Sequence, residues 1–144
     1  MEIKVKRFDD LTTAELYEIL RCRSEVFICE QNCDYQDMDG LDKWSTHLFI
    51  GDERCVKAYL RVIDPGVKFE CASIGRVLTM KEFRGQGLAR PLLMEAIRIA
   101  KSKSDKIEIE AQAYLRNFYR SLGFVETSGV FMLDGIEHIS MVLE

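Results

Sequence analysis

The stretch CASIGRVLTMKEFRGQGLARPLLMEAIRIAKSK, residues 71–103, decides the fold that this sequence predicts. Its first part, residues 73–80, alternates as a strand does, and the alternation predicts that Ile74, Arg76, Leu78 and Met80 share one face. A glycine-rich turn at residues 84–89 follows, and apolar residues then recur at helical spacing. The order of strand, glycine-rich turn and helix is typical of an anion-binding site.

The turn has the properties that a bound phosphate requires. The first amides of a helix lack partners within the helix, and the helix dipole adds partial positive charge there. Gly85 and Gly87 allow the backbone to bend and to approach a ligand closely, and Pro91 is tolerated in the first helical turn. The turn is therefore predicted to hold a phosphate through backbone groups; the alternative, a turn that only links a strand to a helix, stays open.

Two familiar phosphate motifs do not match. A Walker loop needs glycine, four residues and then Gly-Lys-Ser/Thr, and the chain contains no such run. The dinucleotide fingerprint Gly-x-Gly-x-x-Gly needs a third glycine where the chain has Arg90. Arg84, Gly87 and Ala89 instead match the Arg/Gln-x-x-Gly-x-Gly/Ala signature of the GCN5-related N-acetyltransferases (GNAT), which the chain resembles here.

The resemblance implies a site for acetyl-CoA. In that family the amides of the glycine turn hold the pyrophosphate, and the strand before the turn offers backbone groups to the pantetheine arm. The residues that correspond to the turn are Arg84, Gly85, Gln86, Gly87, Leu88, Ala89 and Arg90, and those that correspond to the strand are Val77, Leu78 and Thr79.

Composition narrows the class of protein. The chain has 144 residues, enough for one domain with a real core, and a formal net charge of −4, which argues against nucleic acid as the main partner. No apolar run approaches the ~18 residues of a membrane helix, and the first residues lack a signal-peptide core. The odd number of cysteines, five, favours reduced thiols and a cytoplasmic protein.

The remaining pattern predicts an α/β fold, a single domain over residues 1–144. Thr12 and Glu15 form a capping box that opens a helix reaching about residue 29. Strands are predicted at residues 3–8, 47–50, 56–62, 106–110, 124–127 and 136–143, and a short helix at residues 112–122. The sum is a mixed, mostly antiparallel sheet of about seven strands with about four helices on both faces, and the family resemblance adds a splayed central pair of strands.

A second signature lies at YRSLGF, residues 119–124. It is similar to the family's Tyr-containing helix followed by Gly-Phe, and the resemblance implies that Tyr119 is the general acid for the departing CoA thiolate. A phenol suits that task because its ordinary pKa of about 10 is close to the ~8.5 of a thiol; the alternative is a packing role. The family's asparagine corresponds to Gln112, and Asn117 is the other candidate for its contact with CoA.

Residues 21–31, together with Tyr35, residues 39–42 and His47, resemble the ElaA branch of the superfamily, and a similar start occurs in acyl-homoserine-lactone synthases. An amine acceptor must lose a proton before it attacks a thioester. Glu30 is the first candidate for that base, with His47 next. Glu30, Gln31, Asp39 and His47 are predicted to contact the acceptor, and Asp42 is a further charge partner. The alternative for Glu30 is an ion pair with Arg21 or Arg23.

The same loop contains no convincing metal site. A calcium loop that used Asp37, Asp39 and Gly40 would place Tyr35 and Thr46 at its end positions, and neither residue suits calcium. Cys29, Cys33 and His47 have no usual zinc spacing and no fourth ligand. No metal is therefore predicted.

The sequence as a whole predicts an acetyl-CoA-dependent N-acetyltransferase that acts by direct transfer on a small-molecule or peptide amine. The acidic loop favours a cationic acceptor. Two alternatives remain: an acyl-homoserine-lactone-synthase-like acyltransferase, and a non-catalytic CoA-binding module. Dimers are common in the superfamily, so the resemblance makes a homodimer one expectation, while the sequence leaves the oligomeric state open.

Overall fold

An eight-stranded mixed sheet forms the centre of the molecule in a computed structural model that describes all 144 residues. The first six neighbours across the sheet run β1-β2-β3-β4-β5-β8, and β6 and β7 each pair with β8. The strands are β1 (Lys4–Arg7), β2 (Ser45–Asp52), β3 (Cys55–Ile63), β4 (Ala72–Thr79), β5 (Ile107–Gln112), β6 (Val125–Glu126), β7 (Phe131–Leu133) and β8 (Ile136–Leu143). Only β4 and β5 pair in parallel, so the prediction of a mixed, mostly antiparallel sheet is confirmed.

Three α-helices cover the sheet: α1 (Thr13–Arg23), α2 (Ala89–Lys103) and α3 (Arg116–Ser121). The predicted capping box is present, because the Thr12 side chain accepts from the Glu15 amide and the Glu15 side chain accepts from the Thr12 amide. A π-helical segment (Ser24–Glu30) prolongs α1. None of the helices combines the length and the apolar character that crossing a bilayer requires.

The two faces of the sheet carry separate cores. On one face α2 buries Leu92, Leu93, Ala96 and Ala100 against the strands, as the helical spacing predicts. On the other face α1 and the π-helical segment pack Ile19, Cys22, Val26 and Phe27 against β3 and the end of β4. The fold is thus one sheet between two helical layers.

The predicted face assignment of β4 is wrong beyond its middle. Arg61 of β3 lies opposite Gly75, whereas Tyr59 lies opposite Leu78, so β4 contains one residue more than its partner at this point. Arg76 adopts a left-handed φ of 52° there. An extra residue inverts the alternation, and Leu78 therefore packs on the α1 side while Ile74 packs on the α2 side.

A gap opens between β4 and β5. The two strands pair only through Ala72 with Ile107 and Ser73 with Glu108. Beyond Ser73, the β5-facing edge of β4 has no strand partner, as expected for a splayed central pair. The gap leads directly toward the glycine turn that follows β4.

The C-terminal part contains a strand that the sequence did not predict. β7 and β8 form a hairpin around Asp134 and Gly135, whose φ angles are 51° and 76°. Two successive positive φ values match a type I′ turn, whose twist suits a hairpin. β7 raises the number of strands from the predicted seven to eight.

Candidate active site

A cleft of about 660 Å³ follows the gap between β4 and β5. Both strands line it, with α3 on one side of the sheet and the residues after the π-helical segment on the other. Val26 and Phe27 also border it, and both lie within the π-helical segment. The cleft therefore passes through the sheet instead of resting on one face.

The glycine turn forms a second, adjoining pocket of about 300 Å³. The amides of residues 85–88 make no hydrogen bond within the protein, and no side chain caps α2. Gly85 and Gly87 have φ angles of 80° and 73°, and a Cβ built on either would meet no atom within 4 Å. The turn therefore presents unpartnered N–H groups at open space beside the N-terminus of α2, which suits a phosphate.

Arginine side chains border this pocket. Nη2 of Arg84 donates to Oε2 of Glu30 over 2.6 Å, and Nε of Arg84 donates to the Thr79 carbonyl oxygen over 2.9 Å. Arg90 lies over the ring of Phe118 and donates to Oγ of Ser121 over 2.9 Å. Both guanidinium groups are able to donate charge-assisted hydrogen bonds to an anion at the turn.

The ion pair of Glu30 differs from both pairings that the sequence offered. Arg21 is bonded to Glu18, and Arg23 is enclosed by Asp37 and Asp42. Arg84 is the partner of Glu30. Sequence spacing favoured the helical neighbours, whereas the fold brings the end of the π-helical segment to the glycine turn.

Tyr119 projects from α3 into the cleft and is only 5% exposed. Its ring packs edge-on against Phe118 and Phe124. Its hydroxyl makes no hydrogen bond with the protein. Burial, with a smaller contribution from the charge of Tyr114, raises the pKa of Tyr119 above its ordinary value, so the phenol keeps its proton at neutral pH.

Two glutamine side chains meet across the cleft. Nε2 of Gln31 lies 3.2 Å from Oε1 of Gln112, and Nε2 of Gln112 lies 3.3 Å from Oε1 of Gln31. Gln31 follows the π-helical segment and Gln112 ends β5. Asn117, the other amide proposed for CoA, lies outside the cleft and accepts from Arg120 over 3.2 Å.

His47 does not reach the cleft. It is 0% exposed, its Nδ1 lies 2.7 Å from the Tyr59 hydroxyl, and its Nε2 lies 2.9 Å from the Asp42 carbonyl oxygen. Because a carbonyl oxygen only accepts, Nε2 carries the proton and Nδ1 accepts from Tyr59. Burial lowers the pKa of His47. Both nitrogens are occupied, so His47 is removed from the acceptor-binding set and from the candidate bases.

The acidic loop is neutralised by arginines. Asp42 accepts from Nη1 of Arg23 at 2.7 Å and from Nη1 of Arg61 at 2.9 Å, and Asp39 pairs with Arg61 and Arg76. Burial acts to raise the pKa of Asp39, but the hydrogen bond and the charge of Arg61 outweigh it and hold that pKa below its ordinary value. Asp39 and Asp42 do not line the cleft. These carboxylates hold the loop in place, and the argument for a cationic acceptor from the loop's charge does not stand.

The sequence pattern missed His138 of β8, which lines the cleft. It lies directly opposite Gln112 of β5, its ring stacks with Phe131, and its Nδ1 lies 2.8 Å from the Ile136 carbonyl oxygen. The register between β5 and β8 places His138 opposite Gln112 and so brings it to the site. No local signal in the sequence reveals that register, because the alternation within β8 leaves the pairing partner open.

The chain is similar to known proteins over most of its length. A family model described as "Acetyltransferase (GNAT) domain" matches residues 27–144. The chain belongs to this GNAT family. A UPF0039 protein of Synechocystis is 40% identical over 141 residues, which cover 95% of this chain and 91% of that protein.

Solved GNAT-fold structures agree with the assignment. An acyl-CoA N-acyltransferase from Pseudomonas aeruginosa superposes with a TM-score of 0.92 at 37% identity and covers 99% of both chains. Escherichia coli ElaA superposes with a TM-score of 0.89 at 31% identity and covers 100% of both chains. The chain thus lies in the ElaA-like branch of the GNAT family, as its sequence predicted.

The GNAT fold gathers most of the predicted site residues around the two pockets. The large cleft is lined by Glu30, Gln31, Val77, Leu78, Thr79, Arg84, Ala89, Gln112 and Tyr119. The smaller pocket adds Gly85, Gly87, Leu88 and Arg90. Five predicted residues line neither: Gln86, Asp39, Asp42, His47 and Asn117.

Proposed function

We propose that this GNAT protein is an N-acetyltransferase that transfers the acetyl group of acetyl-CoA directly to a primary amine. One observation carries the proposal: a continuous cleft joins the unpartnered amides of the glycine turn to the unpartnered hydroxyl of Tyr119. The two pockets share Thr79, Arg84, Ala89 and Phe118. An extended donor can therefore reach from the turn to the gap in the sheet.

The donor end is built from backbone groups and two arginines. The amides of residues 85–88 and the N-terminus of α2 would take the pyrophosphate, with Arg84 and Arg90 supplying charge. The β5-facing edge of β4 would take the amide groups of the pantetheine arm, because beyond Ser73 that edge has no strand partner. A donor bound in this way would have its thioester near the β-bulge at Arg76.

Tyr119 is proposed to protonate the departing thiolate. An acid must hold its proton until the sulfur needs it, and burial keeps this phenol neutral. The same apolar surroundings disfavour the thiolate, which raises its affinity for the proton. The free hydroxyl can turn toward the sulfur without breaking an internal hydrogen bond.

The far part of the cleft favours a short acyl group. Beyond the bulge its lining combines apolar residues with five charged side chains: Arg61, Lys68, Arg76, Glu110 and Asp134. A long acyl chain would have to bury methylene groups against these charges, which is unfavourable. Acetyl and a polar amine fit this region better. Separately, all five cysteines are free, and free thiols favour a location in the reducing cytoplasm.

The decisive experiment measures CoA thiol release from acetyl-CoA with a panel of primary amines: propylamine, glycinamide, Nα-acetyl-lysine and spermidine. We expect release with at least one amine, and slower release from octanoyl-CoA. Faster turnover of octanoyl-CoA would favour the long-chain acyltransferase. Tight binding of acetyl-CoA with no release for any amine would reject the enzyme and favour a CoA-binding module.

A further inference from the structure

His138 and Tyr119 reach the cleft from opposite sides of the sheet. Tyr119 belongs to the core on the α2 side, together with Ile109, Ala111, Ile139 and Met141. Alternate residues of a strand point to opposite faces, so His138 and its partner Gln112 face the α1 side. The cleft through the β4–β5 gap connects the two faces. A nucleophile that entered from the His138 side would meet a thioester whose sulfur faces Tyr119.

The hydrogen bond of the His138 ring determines which nitrogen is free. Nδ1 lies 2.8 Å from the Ile136 carbonyl oxygen, and a carbonyl oxygen can only accept, so Nδ1 carries the proton in the neutral ring. Nε2 then has a bare lone pair, and it has no partner in the protein. A histidine whose tautomer is held by a backbone carbonyl is arranged to accept a proton at the other nitrogen.

The other candidate bases in the cleft have partners or are solvated. Glu30 is ion-paired with Arg84 beside the glycine turn. Oε1 of Glu110 lies 2.7 Å from Nζ of Lys68. Asp134 is exposed at the tip of the β7–β8 hairpin, and a solvated carboxylate is ordinarily a far weaker base than an imidazole.

We propose that His138 is the catalytic base that deprotonates the acceptor amine at Nε2. The proposal rests on the proposed function. The incoming ammonium gives one proton to Nε2, which passes it to water. The nitrogen lone pair then forms a bond to the thioester carbonyl carbon, and the nitrogen loses a second proton to Nε2. The C–S bond breaks with its electron pair going to sulfur, which takes the Tyr119 proton. The imidazolium proton returns to Tyr119 through water, and the amide keeps the third proton.

Several titratable groups on the surrounding elements line the same cleft as His138. They are Glu110 of β5, Asp134 of the β7–β8 turn, Tyr114 before α3, and Cys33 and Tyr35 after the π-helical segment. A pH profile alone would not separate them. The test therefore compares variants that each remove one titrating group.

The main variant is His138→Asn, which keeps an N–H donor for the Ile136 carbonyl but has no basic nitrogen. With acetyl-CoA and the most active amine of the panel, we expect kcat/KM to fall about 100-fold, the acidic limb of its pH profile to disappear, and KM for acetyl-CoA to stay unchanged. The control is Glu137→Gln, at the neighbouring exposed position outside the cleft. It should retain the wild-type kcat/KM and the acidic limb of the pH profile. Full rate in His138→Asn, or loss of the limb only in Glu30→Gln or Asp134→Asn, would overturn the proposal.

A second measurement does not depend on activity. The chain has two histidines, so ¹⁵N NMR of the imidazole nitrogens can be assigned by comparison with His138→Asn. We expect the Nδ1–H tautomer for His138, and the Nε2–H tautomer would overturn the proposal. A wild-type protein that binds acetyl-CoA yet acetylates no amine would reject the proposed function together with this role. An active wild type with an unaffected His138→Asn variant would reject the role alone.

Discussion

The guanidinium group of Arg84 donates to the carboxylate of Glu30 over 2.6 Å, which links the glycine turn to the end of the π-helical segment. Both side chains are partly exposed, so the ion pair itself contributes little to stability. For ligand binding, the position of this ion pair is more important than its contribution to stability. A pyrophosphate bound at the turn would compete with Glu30 for the same guanidinium.

Arg84→Ala should weaken acetyl-CoA binding about 10- to 100-fold, because it removes charge-assisted hydrogen bonds to phosphate. Glu30→Gln should strengthen binding a few-fold, because Arg84 is then released from a competing anion. Isothermal titration calorimetry measures both. Arg98→Ala is the control, since Arg98 lies on the exposed face of α2 and pairs only with Glu95. An unchanged Kd in Arg84→Ala would place the phosphates elsewhere.

Gly87→Ala should weaken acetyl-CoA binding by about tenfold or more and lower the free energy of unfolding by about 1–2 kcal/mol. The stability loss comes from its φ of 73°, and the binding loss from a methyl group pointing into the open space where a phosphate would approach. Gly66→Ala is a matched control, because Gly66 also has a left-handed φ, 83°, and open space around its Cβ position. Gly66→Ala should lower the free energy of unfolding by a similar amount and leave the Kd for acetyl-CoA unchanged. Equal effects on binding in both variants would contradict the assignment of the turn.

Tyr119→Phe should lower kcat about 100-fold while leaving acetyl-CoA affinity and the unfolding free energy nearly unchanged. The ring packing survives, and the lost hydroxyl has no internal hydrogen bond to break. Because burial raises the pKa of Tyr119, the wild-type acid stays protonated up to at least the ordinary phenol value of about 10. Tyr17→Phe, at an exposed position of α1, serves as control. A Tyr119→Phe variant with full kcat would remove the acid from the mechanism.

Asp42→Asn should lower the free energy of unfolding by about 3–5 kcal/mol, because it leaves the buried guanidinium groups of Arg23 and Arg61 short of a partner charge. Urea unfolding measures the loss. Glu95→Gln, which removes one exposed ion pair, should change it by less than about 0.5 kcal/mol. Similar values for the two variants would show that the buried cluster is not a stabilising unit.

The same cluster predicts acid sensitivity. Burial acts to raise the pKa of Asp42, but Arg23 and Arg61 outweigh it and keep the pKa below its ordinary value. A carboxylate with a lowered pKa in the folded state stabilises the fold above its unfolded-state pKa of about 3.9 and loses that contribution as the pH falls further. The wild type should therefore lose stability below about pH 4, and Asp42→Asn should lose less over the same range. If the free energies of unfolding of the wild type and of Asp42→Asn fell in parallel as the pH decreased, this prediction would be wrong.

Local sequence was sufficient for the elements that depend on neighbours along the chain. The glycine turn and α2 follow from residues 84–103, because backbone freedom at Gly85 and Gly87 and apolar spacing are short-range properties. The capping box at Thr12 is local for the same reason. The GNAT assignment came from such short-range signatures.

The features that sequence reasoning got wrong depend on pairing between distant strands. The bulge at Arg76 inverts the faces of β4, and only its register against β3 reveals the extra residue. β7 is three residues long and exists because β8 lies beside it. Such a short strand carries too few residues for a periodic signal.

The sequence by itself determined the family and the glycine turn, and it singled out Tyr119, because each of these depends on one continuous segment whose residues can be interpreted one by one. Only the tertiary structure decided the partners of the charged side chains. In the folded protein Glu30 pairs with Arg84, Asp42 pairs with two buried arginines, and His47 is bonded to Tyr59 and the Asp42 carbonyl. The fold also brings His138 to the cleft opposite Gln112. The physical reason is that hydrogen bonds and ion pairs act over a few ångströms in space, and separation along the chain does not report that distance.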